Sequence, residues 1–146
     1  MIIPFSEEIR NRARKAVLLG AEWLAGNQVR HSWPYWTADA GRFRSVVHIS
    51  KPKPQSLNSI CWNTARGAQA LLSAYKLERD EFILETARLA LEYVKTCQIF
   101  CPELTRHHGA CREETPQCPY IASRDTVEAV QAFTNIVCCD RRTGVP

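Results

Sequence analysis

NTARGAQAL occupies residues 63–71 and DTVEAVQAF occupies residues 125–133. Aligned without a gap, the two stretches share an amide or acid at the first position, the threonines Thr64 and Thr126, the pairs Gln69-Ala70 and Gln131-Ala132, and a large apolar residue, Leu71 or Phe133, at the end. A second match lies one segment earlier. Glu22-Trp23-Leu24, closed by Gln28, corresponds to Glu92-Tyr93-Val94, closed by Gln98. Two matched pairs in the same order define a repeated unit made of a helix, a long loop and a second helix. Repeats of this size bury their apolar faces by stacking on their neighbours. The fold class read from the sequence is therefore all-α: two repeats of stacked helical hairpins in a single domain spanning residues 1–146.

Apolar periodicity places helices at about Ser6 to Gln28, Ser59 to Leu77, Arg79 to Gln98 and Ser123 to Cys138. Ser6-Glu7-Glu8 supplies an N-cap and early carboxylates for the first. No segment sustains period-two alternation, so no substantial sheet is expected. The third helix is amphipathic. Ile83, Ala87, Ala90, Val94 and Cys97 share one side, and Glu85, Arg88, Glu92 and Lys95 the other, the signature of an outer helix. The second and fourth are apolar around most of their circumference and carry a narrow polar stripe: Trp62, Arg66, Gln69 and Ser73 on one, Arg124, Glu128, Gln131 and Asn135 on the other. A polar stripe on a buried helix must face partners, water or a ligand. These read as inner helices lining a cavity.

The chain has 146 residues, 45% hydrophobic, with a net charge of +4. That composition supports a core and argues against global disorder. The basic residues are scattered and no nucleic-acid motif occurs, so nucleic acid is not an expected partner. Every apolar run ends well short of the roughly 20 residues that a spanning helix needs, so no membrane partner is expected either. The start, MIIPFSEEIR, lacks a basic segment followed by a long apolar one, which gives a cytoplasmic expectation. Seven cysteines without a secretion signal read as thiols rather than a disulfide framework.

Alternating outer and inner helices, carried here by the Asn63–Tyr75 and Asp125–Phe133 inner helices and by the Glu81–Tyr93 outer helix after Leu77-Glu78-Arg79-Asp80, resemble the (α/α) toroid folds. The nearest resemblance is to the six-hairpin carbohydrate-active proteins: N-acylglucosamine 2-epimerase-like enzymes, unsaturated glucuronyl hydrolases and related glycosidases and lyases. Terpenoid cyclases and prenyltransferases share the toroid, and Ala21-Glu22-Trp23-Leu24 with Gln28 echoes their repeats. The acid-rich aspartate motif of the cyclases and a prenyltransferase-like metal pattern are absent. The resemblance implies a carbohydrate-active protein of the glycoside hydrolase, lyase or sugar epimerase class. It also implies an incomplete toroid, since six hairpins need twelve helices; the expectation is the N-terminal portion of one, lacking a C-terminal toroid segment, or a truncated relative, and the alternative is a stand-alone four-helix array that forms a homo-oligomer.

In such a toroid the site lies where the long loops meet the inner helices. The first loop offers Trp33 and Trp36, flat apolar faces on which a sugar can stack, with Arg42 and Arg44. Trp62, Arg66, Arg124 and Asp125 follow on the inner helices. Arginine matches a carboxylate with a planar fork, so a uronate-containing glycan is the natural ligand. The second loop offers Glu113, Glu114, His107 and His108 as candidate acid/base groups, of which one of the two adjacent glutamates is expected to reach the cavity. Several of these residues also have structural readings, and for Arg66 and Glu128 a mutual ion pair is favoured over catalysis. Asp125-x-x-Glu128 resembles a capping box, Arg66 and Glu128 can form a mutual ion pair, and the loop aromatics can simply pack. No cofactor or metal is assigned: Cys97, Cys101, Cys111 and Cys118 flank His107 and His108, but no CxxC knuckle occurs. Two further readings stand beside the enzyme: a non-enzymatic helical-repeat module that binds a protein, and a zinc-stabilised module.

Overall fold

The computed structural model describes residues 6–30, 40–44 and 61–141. The described residues form four helices: α1 (Glu7–Gly26), α2 (Cys61–Glu78), α3 (Glu81–Cys97) and α4 (Ser123–Arg141). The described residues hold no strand, only the isolated antiparallel bridges Gln28 to Phe43, Gln98 to Cys111 and Arg112 to Ile121. No helix among them is long and apolar enough to cross a membrane.

Local chemistry sets the helix ends. Ser6 caps α1 by accepting from the Ile9 N–H at 3.3 Å, and Asp80 caps α3 by accepting from the Phe82 N–H at 2.8 Å. Between α2 and α3 the chain reverses at Arg79, which adopts φ +56°. Its N–H closes the end of α2 on the Tyr75 carbonyl at 2.8 Å, the usual left-handed way out of a helix.

The α2–α3 hairpin is the centre of the core. Ala65, Ala68, Leu71, Leu72 and Tyr75 of α2 and Ile83, Leu84, Ala87, Leu91 and Val94 of α3 are all buried. Burying a leucine-sized side chain stabilises by about 1.5–3 kcal/mol, so this face dominates helix stability here. The opposite side of α3 is solvated, with Lys95 paired to Glu92 at 2.9 Å. α2 also packs along α4, whereas α1 lies mainly against α2.

The repeat seen in the sequence recurs bond for bond. The Gln28 side chain donates to the Gly41 carbonyl at 3.0 Å, and that of Gln98 to the Gly109 carbonyl at 2.9 Å. The Gly41 N–H bonds Val29 at 2.7 Å and the Gly109 N–H bonds Ile99 at 2.8 Å, while Val29 bonds Arg42 and Ile99 bonds Ala110, each at 2.9 Å. Each loop then docks on the helix after it through a threonine. The Phe43 N–H donates to Thr64 Oγ1 at 3.3 Å, and the Cys111 N–H to Thr126 Oγ1 at 2.9 Å. Side-chain size is exchanged between the two units. The Phe43 ring lies so close to Gly67 that a Cβ there would come within 2.5 Å of it. In the second unit the matching positions are the smaller Cys111 and the larger Ala129, both buried.

One expectation is modified. Apolar spacing predicts α4 to be buried around most of its circumference, yet Val127, Val130 and Val137 are about half exposed (53%, 55% and 48%). The reason is positional. α2 lies between α3 and α4, and among the described residues nothing covers α4 on the side corresponding to the α3 side of α2.

The two glycines of the repeat differ in one respect. Both have positive φ, +100° at Gly41 and +85° at Gly109. A Cβ at Gly41 would lie 2.0 Å from the Leu89 carbonyl oxygen, whereas one at Gly109 meets nothing within 4 Å. In dilute solution Gly109→Ala should cost about 1–2 kcal/mol, the left-handed penalty alone. Gly41→Ala should cost about 1–3 kcal/mol more through overpacking. Urea unfolding of the two variants measures the difference, and equal losses would contradict it.

Candidate functional site

The start of α2 is held by the second unit. The Cys61 N–H donates to the Glu113 carbonyl at 3.1 Å, and the Trp62 N–H donates to Asp125 Oδ1 at 3.0 Å. Two of the amides that a helix leaves unpaired at its N-terminus are thereby satisfied by the loop before α4 and by α4 itself. Asp125 therefore caps the neighbouring helix. Glu128 does not reach back to a backbone amide: it takes the Arg66 guanidinium at 2.7 Å and the Gln69 side-chain amide at 3.0 Å. The ion-pair reading of Arg66 and Glu128 holds in place of the capping box.

This arrangement gathers an aromatic ring, two arginines and three carboxylates. The Arg124 guanidinium lies 4.6 Å from the centre of the Trp62 ring and that of Arg66 lies 5.4 Å from it. Such cation–π contacts stabilise by about 0.5–1 kcal/mol at exposed sites and hold the planar forks in place. Arg124 Nη2 sits 3.6 Å from Glu113 Oε1 and 3.7 Å from Asp125 Oδ2, so one guanidinium faces both carboxylates. Glu113 is partly exposed and Asp125 fully buried. Burial pushes the Asp125 carboxyl above its ordinary value. The Trp62 N–H and the charge of Arg124 oppose this, and the charge of Glu113 adds to it. Among the described residues, Asp125 Oδ2 and Trp62 Nε1 are buried atoms with no hydrogen-bond partner.

A cleft of 320 Å³ opens beside the cluster, lined by Arg66, Arg44, Asn63, Trp23 and Phe43 among others. Its size falls at the lower end of the range for ligand sites, about 300–1,000 Å³. Arg44 also borders a larger 680 Å³ cavity with Glu22, Gln28, Arg30 and Phe82. The arginine side chains of the cluster remain open to solvent, 62% for Arg66 and 51% for Arg124.

The other candidates are placed as follows. Arg42 is buried in the 40–44 segment. Glu114 is exposed, and its carbonyl accepts from the Tyr93 hydroxyl at 3.2 Å. His107 and His108 lie in the exposed loop after α3, where His108 Nδ1 accepts from the Cys101 N–H at 3.1 Å and its ring meets Phe100 edge-on. Among the described residues, no hydrogen bond or ion pair joins Glu114, His107 or His108 to the Trp62 cluster. Trp33 and Trp36 lie outside the described residues.

The sequence reading missed a thiol cluster. Cys61, Cys97 and Cys111 are completely buried and unbridged. Cys61 sits at the centre: side-chain interactions with Cys111 and Cys97, together with burial, push its thiol above its ordinary value. Cys97 and Cys111, which flank the loop histidines in the sequence, are buried thiols beside Cys61. Among the described residues no group of three or more His, Cys, Asp or Glu side chains is placed to hold a metal ion. The signal available in the sequence was positional, since the three cysteines fall at a helix start, a helix end and the loop residue equivalent to Phe43.

No family model, curated protein or solved structure matches the chain.

Asp125 yields a prediction with a definite sign. Its folded pKa is raised above the ordinary 3.8, so the folded state holds the proton longer than the unfolded state. Stability contributed by this group is present below 3.8 and is lost as pH rises through the raised folded value. Asp125→Asn keeps an oxygen for the Trp62 N–H and carries no charge. It should flatten that limb of the stability–pH profile and match or exceed the parent Tm at neutral pH. Asp125→Ala removes the cap and should cost about 1–2 kcal/mol. Thermal melts at pH 4–8 distinguish the two; a neutral-pH loss for Asn as large as that for Ala would refute the capping role.

Proposed function

We propose that the chain is a carbohydrate-active module built from two hairpins of the (α/α) toroid type, and that it binds an acidic sugar at the Trp62 cluster. The observation that carries the reading is the pair of solvent-open guanidiniums, Arg66 and Arg124, held on one tryptophan ring beside two carboxylates. A sugar carboxylate fits between two planar forks and gains charge-assisted hydrogen bonds from both. Ring hydroxyls can donate to Glu113, and the neighbouring cleft receives the rest of the glycan along Arg44 and Asn63.

The reaction suited to this set is glycosidic bond cleavage or proton transfer next to a carboxyl-bearing carbon. Either needs one carboxyl group held protonated and another able to take a proton. Asp125, pushed up by burial, fits the acid, and Glu113, partly exposed and beside Arg124, fits the base. The pair replaces Glu114, His107 and His108, which no described bond links to the cluster. A different observation, the open apolar faces of α1 and α4, favours an additional role in association that does not depend on the sugar.

Calorimetric titration with glucuronate- and galacturonate-containing oligosaccharides tests the reading against neutral glycans of the same length. Uronate binding should weaken at least tenfold, about 1.4 kcal/mol, in Arg124→Ala. Neutral glycans binding equally well, or no glycan binding at all, would sink the assignment. Where turnover is detected, Glu113→Gln should lower kcat by about 10²–10⁴ without changing the melt, and unchanged turnover would remove Glu113 from the chemistry.

A further inference from the structure

The repeat makes it possible to ask, residue by residue, what the second unit lacks. In the first unit, the α2 face formed by Ala65, Ala68, Leu72 and Tyr75 is fully covered, with exposures of 0%, 0%, 0% and 4%. The corresponding α4 residues under the same alignment are Val127, Val130, Thr134 and Val137. The three valines are about half exposed, and an apolar hollow runs along Val130, Phe133, Thr134 and Val137. The element that covers the α2 face is α3, and among the described residues no helix takes the equivalent place on α4.

The second loop lacks the same partner. In the first unit the loop grips α3: the Gln28 amide donates to the Thr86 carbonyl at 2.9 Å, Arg30 donates to Thr86 Oγ1 at 2.8 Å, and Gly41 sits against Leu89. In the second unit, among the described residues, the Gln98 side chain bonds Gly109 and no residue of a following helix, Phe100 at the Arg30 position is 68% exposed, and a Cβ at Gly109 would meet nothing within 4 Å. Two separate surfaces, one on α4 and one on its preceding loop, thus point to a covering helix at the same place.

α1 has the complementary gap. It is the outer helix of the first unit, matched to α3 by Glu22-Trp23-Leu24 and Gln28. The α3 residues packed on α2, Ala87, Ala90 and Val94, correspond to Val17, Gly20 and Leu24. Val17 is 38% exposed, Gly20 is open, and both line an apolar groove of 510 Å³. Leu89, which the first loop covers, corresponds to Leu19, 56% exposed. Sizes also compensate. Ala68 and Ala90 lie at nearly equal distances from the α2–α3 turn; their counterparts are the larger Val130 and the smaller Gly20.

We infer that α1 of a second copy of this chain docks on α4 and the 98–111 loop, reproducing between copies the α2–α3 contact within one copy. The interface is head-to-tail, with different surfaces on the two sides, so each copy offers one of each and the assembly extends until its geometry closes. The inference does not depend on the sugar-binding reading, and no residue of the Trp62 cluster takes part.

The test is sedimentation equilibrium on the full chain and on two single-face variants, with circular dichroism as the fold control. Val130→Asp spoils the α4 face, and Val17→Asp the α1 face; both sites are solvent-open in a single copy. The parent chain should associate with increasing concentration. Each variant alone should associate at least tenfold more weakly. An equimolar mixture should form a one-to-one pair through the intact α1 of one variant and the intact α4 of the other. Should either variant lose helicity, Val137→Asp and Leu19→Asp take their places. A parent chain that stays monomeric at the highest concentration overturns the inference. So does a Val17→Asp variant that associates like the parent, the mark of α4-to-α4 pairing, and so does a mixture of two folded variants that fails to pair.

Discussion

Each unit depends on how its loop is tied to the helix that follows. A main-chain amide from the loop, at Phe43 or Cys111, donates to a threonine one turn into the next helix, Thr64 or Thr126. The threonine hydroxyl sits on a buried or half-buried helix face where an unmatched donor or acceptor would be costly. The glutamine at the end of the preceding helix clamps the same loop from the other side through a glycine carbonyl. Together the two ties fix where the loop crosses and which way the next helix starts. Side chains beside the ties can then change size, Phe43 with Gly67 in one unit and Cys111 with Ala129 in the other, while both ties persist.

Those ties explain why the architecture was legible. The residues that recur, Gln28 and Gln98, Thr64 and Thr126, are the ones whose side chains bond to the backbone, and a backbone bond tolerates few replacements. The helices follow from apolar spacing and caps, so α1 and α3 begin where Ser6 and Asp80 place them. The exposure of α4 was not legible. Periodicity reveals that a helix has an apolar face; it does not reveal whether a neighbour covers that face.

The candidate site was legible in part. Trp62, Arg66, Arg124 and Asp125 were singled out because polar residues interrupt apolar helices, and the structure brings them together with Glu113. The pairing of Asp125 with the amide of another helix was hidden, because the local Asp-x-x-Glu pattern offers a capping explanation that is complete within its own helix. His107 and His108 drew attention through their chemistry alone. No spacing in the sequence ties them to the inner helices, and they settle on an exposed loop, where His108 accepts from the Cys101 N–H. The thiol cluster joins positions far apart in the chain, and no spacing rule connects Cys61 to Cys97 and Cys111.

The borrowed cap on α2 has a consequence for the order of events when the chain is made. Trp62 and Cys61 emerge from a ribosome long before Asp125 and Glu113, the residues that receive their amides. Until then the first turn of α2 has neither partner, and its three-thiol neighbourhood lacks Cys111. The hairpin formed by α2 and α3 can therefore collapse early through its leucines and alanines, while its leading end stays frayed. Completion of the first unit waits on synthesis of the second, so the repeats are joined in time as well as in space.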